Sequence, residues 1–234
     1  MPKTKKTHPQ KTQAQNPAIT RYPSPIATPA AKLTKEEKID LIADRFHDIM
    51  EALGLDMEDE SLAKTPKRVA KMYVNEIFSG LDPKNFPNIH LLDEQCTSEV
   101  GHHSLLMTKC GFTSFCEHHF VPMYGYAYVA YLPHSKLIGL SKIHRIVHFF
   151  AKRPQLQERL TSQIADSLSL ILGHENVAVS IHAQHSCVMM RGVQDENGST
   201  TTSYFSGEFK TDASKRDEFF RGIERLMKRS ALPE

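Results

Sequence analysis

The sequence of 234 residues contains no tryptophan, and no apolar run in it approaches the roughly 20 residues that a membrane-spanning helix needs. The absence of such an apolar run excludes a membrane-spanning protein. Four cysteines are too few for a disulfide framework in a chain of this size. The sequence also lacks the apolar segment of a secretory signal. We therefore expect a cytoplasmic protein whose cysteines are reduced thiols, metal ligands or nucleophiles.

Acidic residues are absent from residues 1–32, which hold six prolines and six lysine or arginine residues. This segment carries a net charge of +6, and because the whole chain carries +2, the remainder carries −4. Its composition predicts a disordered tail. A transit peptide is also poor in acids, but one arginine and one serine do not favour it. Because the basic charge lies in the tail and not in the folded body, we expect no nucleic-acid partner.

Helical patterns dominate the segment that follows the tail. Residues 34–37 have the form of a capping box ahead of an apolar stripe that ends at Gly54. Thr65 and Pro66 predict the N-cap and first residue of a second helix that continues to Gly80. Residues 82–86 are predicted to form a loop.

Strand and helix patterns then alternate. We predict strands at 89–92, 105–108, 124–132, 177–184 and 200–210, with a turn at Asn197-Gly198 between the last two. Two helices lie between the third and fourth strands: one capped by Ser141, and a longer one that ends at Gly173. A charged helix follows at 214–228. The chain thus divides into a tail (1–32), a helical region (33–87) and an α+β domain (88–234).

Two clusters of thiols and imidazoles follow predicted strands. Cys116, His118 and His119 stand after one strand, and His185 and Cys187 stand at the end of another. Zinc binds thiolate and imidazole, and a catalytic zinc site uses three protein ligands. The same residues also fit a cysteine nucleophile, or buried thiols with chance neighbours among 13 histidines. Chemistry alone leaves these three interpretations open.

Several charged residues are candidates for binding an anion. Lys142 and Arg145 share a face at a predicted helix start, where the helix dipole favours phosphate. By itself, a solvated helix end explains this pattern better. Arg191 stands four residues after Cys187 and is a second candidate, whereas Arg68 is uninformative alone.

Glu158 lies beside the apolar stripe of the longer predicted helix, so it faces a groove or solvent. A carboxylate accepts two parallel hydrogen bonds of the kind that guanine donates. A lone helical glutamate is usually a surface charge, so Glu158 alone decides nothing.

Seven short words occur in order between residues 33 and 229. They are TPKRVAKM from Thr65, SFCEHH from Ser114, VAYLP from Val129, IGLSK from Ile138, QERLT from Gln157, HSC from His185 and MRGV from Met190. Together these words resemble the GTP cyclohydrolase I family. The tail is not covered by the resemblance.

The resemblance implies an enzyme that hydrolyses GTP to formate and 7,8-dihydroneopterin triphosphate, the first step toward folate and tetrahydrobiopterin. It implies a Zn²⁺ cofactor that activates water for attack on purine C8, followed by Amadori rearrangement and ring closure. It also implies the tunnel fold, an antiparallel sheet with a helix pair packed on it. The sheets of several subunits then close into a barrel in a homodecamer of two pentamers, with active sites between subunits.

The resemblance also implies roles for individual residues. The zinc ligands are Cys116, His119 and Cys187, and the catalytic histidines are His118 and His185. Ser141 is a further candidate proton shuttle. The guanine-binding pair is Gln157 and Glu158, and the triphosphate contacts are Lys142, Arg145, Arg191 and Arg68. We interpret Cys110 as a core residue.

Two rival members of the same fold are weighed against this assignment. A non-catalytic relative would lack a ligand or a histidine, and all are present. A nitrile-reducing tunnel-fold enzyme would use a cysteine without the zinc triad. A regulatory protein partner, the cooperativity of GTP binding and the downstream product stay open.

Overall fold

The computed structural model describes residues 21–23, 25–27, 32–92, 105–134 and 136–229. Most of the predicted tail lies outside the described residues, so its disorder stays a prediction. Tyr22 lies within them and packs against the folded body. Its hydroxyl donates to Asp166, its ring centroid lies 6.4 Å from that of Phe150, and its carbonyl accepts from Arg153 Nη1 at 3.1 Å. Tyr22, a residue of the predicted tail, is therefore attached to the core.

The helical region begins with α1, Lys35–Ala52. The predicted capping box is confirmed: Glu37 N donates to Thr34 Oγ1 at 3.2 Å, and Thr34 N donates to Glu37 Oε2 at 2.7 Å. Helix α2 spans Thr65–Met72, but its N-cap is Lys64, and the predicted capping role of Thr65 is wrong. The chain enters α2 from a turn in which Thr65 N donates to Leu62 O, so Thr65 is already helical.

The second helix does not run to Gly80 as a regular α-helix. A π-helical turn at Tyr73–Ile77 and two 3₁₀ turns, Ser79–Leu81 and Pro83–Asn85, replace its end and the predicted loop. Gly80 is held against the body because its N–H donates to Lys152 O at 2.9 Å and its carbonyl accepts from Arg153 Nε at 2.9 Å. A Cβ on Gly80 would lie 2.1 Å from Phe149 O, so only glycine permits this approach.

In the part of the chain that the structure describes, seven strands form a two-stranded ribbon and a five-stranded sheet. They are β1 Leu91–Leu92, β2 Leu106–Cys116, β3 Pro122–Tyr131, β4 Leu137–Ile138, β5 Pro154–Gln155, β6 Val177–His185 and β7 Thr200–Phe205. Strands β1 and β4 form the ribbon, and the sheet order is β5-β2-β3-β6-β7, antiparallel except for the short parallel β5–β2 pair. In the register, Phe115 pairs with Pro122 and Met123 pairs with His185. The end of β2, the start of β3 and the end of β6 therefore meet at one edge of the sheet.

Two helices pack on one face of the sheet and form the main core with it: α3 Leu140–Ala151 and α4 Gln157–Leu172. Two short helices follow, α5 Ser186–Met189 and α6 Glu208–Thr211. The C-terminal helix α7, Ala213–Arg229, buries Phe219 and Ile223 on the opposite face. The predicted α+β fold with a helix pair on its sheet is confirmed, whereas the barrel between subunits stays a prediction. Among the described helices, none has the length and apolar character to cross a membrane.

Three local predictions are corrected. Helix α3 has Gly139 and not Ser141 as its N-cap, because the chain is already helical at Leu140. Strand β7 ends at Phe205, since Gly207 turns the chain with a φ of 54° and α6 begins. A tight turn at Asn197-Gly198 does not by itself join β6 to β7, because α5 opens a longer connection.

Candidate active site

The candidate site lies at the sheet edge where β2, β3 and β6 meet. A tight loop of residues 117–121 joins β2 to β3 and is closed by two backbone hydrogen bonds, from Phe120 N to Cys116 O at 2.9 Å and from Cys116 N to Val121 O at 3.0 Å. Phe120 adopts a left-handed backbone with a φ of 53°. The loop thereby carries His118 and His119 toward the end of β6, beside Cys116 at the end of β2.

Three ligand atoms converge at this edge. The sulfurs of Cys116 and Cys187 and a ring nitrogen of His119 all lie within 4.8 Å of one another. Cys116 is buried and His119 is exposed, so the group is closed on one side and open on the other. Two thiols and one imidazole are the donors that zinc prefers, and three protein ligands with an open side fit a catalytic zinc site.

The Cys187 thiol is costly to ionise without a cation. Burial raises the pKa of Cys187, and the neighbouring Cys116 raises it further. A divalent cation reverses this effect because it binds the thiolate form. Cys110 lies elsewhere: it is buried in the main core, where burial raises its pKa to about 11, and its sulfur lies 3.9 Å from His148 Nε2. Its predicted place in the core is confirmed.

His185 is held by Gln157, the first residue of α4. The buried Gln157 Nε2 faces three acceptors, Ile181 O and Thr200 O at 3.0 Å and Thr202 Oγ1 at 3.1 Å. These acceptors orient the amide so that its Oε1 faces His185 Nε2 at 2.7 Å. Because an amide oxygen only accepts, His185 Nε2 carries a hydrogen and Nδ1 is the nitrogen that exchanges protons.

Charge around His185 acts in two directions. Burial lowers the pKa of His185, and the carboxylate of Glu158 opposes that shift. Glu158 is exposed on the first turn of α4. The predicted guanine carboxylate therefore lies close enough to a predicted catalytic histidine to influence its charge.

One predicted cation reaches the ligand group. Arg191 Nη1 lies 3.0 Å from His119 Nε2, on the open side of the cluster. Gly192, with a φ of 61°, turns the chain directly after it. A positive side chain thus lies beside the open face.

Comparisons with known proteins match this chain over most of its length. The family model described as GTP cyclohydrolase I matches residues 42–224. A protein of Erwinia tasmaniensis named GTP cyclohydrolase 1 is 48% identical over 200 residues, which cover 86% of this chain and 89% of that protein. One of the same name from Tolumonas auensis is 52% identical over 190 residues, with 81% and 86% covered. The chain belongs to the GTP cyclohydrolase I family.

A solved structure is also similar to part of this GTP cyclohydrolase I family member. A crystal structure of an archaeosine synthase QueF-like protein in the apo form covers 44% of this chain and 94% of its own, at 16% identity and a TM-score of 0.37. A likeness of this degree carries no argument about the fold or the activity.

Other residues that the family resemblance predicts lie on separate elements. Ser141, Lys142 and Arg145 lie on α3, and Arg68 lies on α2. Within the described ranges, no hydrogen bond or ion pair joins these four side chains to the cysteine and histidine cluster. A single chain of this family member therefore joins Arg191 to the zinc-type ligands and Glu158 to His185, whereas the described residues show no such bond for the remaining cations.

One ion pair at the site is not evident from the sequence. Arg159 on α4 binds Glu117 in the ligand loop, with Nη2 donating to Oε1 at 3.1 Å and Nη1 donating to Oε2. The Arg159 hydrogen bond lowers the pKa of Glu117. Both residues belong to the short words that carry the family resemblance, and this membership is the signal in the sequence that marks them as residues of the site. Their pairing across 42 positions is not readable from the sequence.

Proposed function

We propose that this chain hydrolyses GTP to formate and 7,8-dihydroneopterin triphosphate with a Zn²⁺ ion held by Cys116, His119 and Cys187. One observation carries the proposal: ligand atoms from two words of the sequence converge within 4.8 Å, and one of them belongs to Cys187, two residues after His185 at the end of β6. Membership of the GTP cyclohydrolase I family supports the same reaction. Zinc, when bound, supplies a Lewis acid that activates water for attack on purine C8.

His118 and His185 transfer the protons that the reaction requires. Imidazole exchanges protons near neutral pH, which suits repeated transfers during ring opening, rearrangement and reclosure. His185 is fixed by Gln157, so it exchanges protons at Nδ1. The His118 side chain is 64% exposed and free to reorient toward several substrate atoms. The hydroxyl of Ser141 is a third proton carrier in this proposal.

Glu158 selects guanine. Its exposed carboxylate accepts hydrogen bonds from N1–H and the exocyclic amine of guanine, a pair of donors that adenine does not offer side by side. Gln157 acts differently, because its side chain is only 2% exposed and is committed to the sheet and to His185. We therefore assign guanine contact by a side chain to Glu158 and the orientation of His185 to Gln157.

The triphosphate is held by Lys142, Arg145, Arg191 and Arg68. Only Arg191 bonds to the ligand cluster in one described chain, so the proposal includes completion of the site between chains. The expected assembly is a homodecamer of two pentamers, in which the sheets of neighbouring chains close a barrel. In this proposal, residues 88–234 form the catalytic domain. The enzyme is cytoplasmic, and its product enters folate or tetrahydrobiopterin biosynthesis.

The decisive experiment is incubation of the full chain with GTP, with formate and the fluorescent oxidised pterin measured in parallel. We expect both products, their loss after treatment with a chelator, and their return when Zn²⁺ is added. Absence of pterin under every metal condition would refute the activity. Pterin formation that is indifferent to chelator would refute the zinc site alone.

The role of Glu158 is tested by Glu158→Ala. Two hydrogen bonds to a charged group are worth roughly 3 kcal/mol, so kcat/KM for GTP should fall at least about 100-fold while the fold is retained. Glu224→Ala is the matched control, because Glu224 is another exposed helical glutamate, on α7. Equal kinetics for the two variants would rule out guanine recognition by Glu158.

A further inference from the structure

We propose that Arg159 is a positioning residue whose ion pair with Glu117 holds the loop carrying His118 and His119, directly after Cys116, in its metal-binding geometry. The inference rests on the proposed function, because it concerns the same metal site. Neither Arg159 nor Glu117 is one of the proposed ligands, proton carriers or substrate contacts.

The ligand loop needs an outside support. Its five residues include Phe120 in a left-handed conformation that non-glycine residues disfavour, and such a conformation persists only when surrounding contacts enforce it. Beyond its own closing hydrogen bonds, the loop is tied by Glu117 N to Gln155 O at 3.0 Å, and the Phe120 ring centroid lies 5.2 Å from that of Phe78. These contacts hold the backbone of the loop at its two ends.

The Arg159–Glu117 pair connects the Glu117 side chain, between the proposed ligands Cys116 and His119, to helix α4. Each guanidinium Nη atom donates to a different carboxylate oxygen of Glu117. This bidentate arrangement fixes the direction of the contact as well as its distance. Arg159 follows Glu158 directly on α4, and the Arg159 and Glu117 side chains are 42% and 27% exposed. The pair therefore couples the helix that carries the guanine-recognising glutamate to the segment that contains the two proposed ligands Cys116 and His119.

The same carboxylate also faces a proposed proton carrier. His118 Nε2 lies 3.9 Å from Glu117 Oε1. With Arg159 in place, the Glu117 carboxylate is held between the guanidinium and the imidazole. Without Arg159, Glu117 is free to rotate, and the nearby ligands Cys116 and His119 lose a fixed position relative to Cys187 on α5.

The test is cobalt binding to the metal-free full chain, followed by the absorption of thiolate-to-cobalt transitions. Loss of a partner that orients metal ligands typically weakens binding about 10- to 100-fold, and we expect a loss in this range for Arg159→Gln. Arg159→Lys should recover only part of the cobalt affinity, because lysine keeps the positive charge but cannot form the bidentate pair of hydrogen bonds. Urea unfolding of each variant reports any general loss of stability.

Arg45→Gln is the matched control. Arg45 forms an exposed ion pair with Asp48 on α1, at 3.1 Å, so the substitution makes the same change of charge far along the chain from the loop. We expect its cobalt affinity to equal that of the unmodified chain. Glu117→Gln breaks the pair from the other side and should weaken cobalt binding as Arg159→Gln does, which keeps the test decisive if one variant fails to fold.

Two outcomes would overturn the inference: cobalt affinity of Arg159→Gln and Glu117→Gln equal to that of the control, or no cobalt binding by the unmodified chain. The measurement does not depend on turnover. A chain that binds cobalt but forms no pterin would refute the proposed activity, and the comparison of affinities would still decide the role of the ion pair.

Discussion

Substitution of Gln157 by leucine should damage the site from within the core. Leucine fills a similar volume but removes the amide that serves Ile181 O, Thr200 O, Thr202 Oγ1 and His185 Nε2. A buried polar group left without its partner costs about 1 to 3 kcal/mol, and carbonyl oxygens that keep a second bond lie at the low end of that range. We therefore expect the free energy of unfolding to fall by about 2 to 4 kcal/mol.

The same substitution should also reduce turnover per folded molecule, because His185 loses the acceptor that fixes its Nε2 hydrogen. Gln163→Leu is the matched control: Gln163 is a second buried glutamine on α4, and its Oε1 accepts one hydrogen bond, from Gln155 Nε2 at 2.8 Å. It should lose about 1 kcal/mol and keep normal turnover. Urea denaturation and GTP turnover measure the two effects. A Gln157→Leu chain with the stability or the turnover of the control would refute the reasoning.

Further substitutions test the metal site and the sheet. Cys187→Ser should lose bound zinc and turnover together, whereas the core variant Cys110→Ser should keep both. Metal analysis and a turnover assay measure these effects. Zinc retained with full activity in Cys187→Ser would remove Cys187 from the ligand set. Gly125→Ala should destabilise the fold by at least about 3 kcal/mol, since its Cβ would lie 2.0 Å from His182 O. Gly111→Ala, whose Cβ would lie 3.8 Å from the nearest atom, should be neutral or stabilising by up to about 1 kcal/mol in thermal unfolding, and equal losses for the two would contradict the steric argument.

Features that depend on a few consecutive residues were predictable. The capping box at Thr34 and the end of α4 at Gly173, which adopts a φ of 77°, both follow from local hydrogen bonding and backbone freedom. The caps predicted at Thr65 and Ser141 are wrong for a related reason. A capping residue must stand directly before the first helical residue, and both Thr65 and Ser141 are already inside their helices because the preceding chain starts each helix earlier.

Pairings between distant segments were not predictable from residue types. The chain holds 29 lysines and arginines and 27 acidic residues, so nothing local singles out Arg159 as the partner of Glu117. Arg153 is a further case: it is 2% exposed, and its Nε and Nη1 donate to the carbonyls of Gly80 and Tyr22. Desolvation lowers its pKa to about 10. Its burial depends on two chain segments that only the fold brings together.

The two proposed proton carriers show how this difference bears on chemistry. His118 and His185 are the same residue type, and each stands two positions from a cysteine in the sequence. In the structure, His185 Nε2 lies 2.7 Å from the buried amide oxygen of Gln157, whereas His118 is largely exposed, with a carboxylate oxygen at 3.9 Å and the His119 ring centroid at 6.3 Å. A pinned imidazole exchanges protons with one fixed direction, and a mobile one serves successive positions as the substrate rearranges. Both kinds suit the proposed reaction, which opens and recloses rings, and the difference between the two histidines arises from Gln157 and not from the histidines themselves.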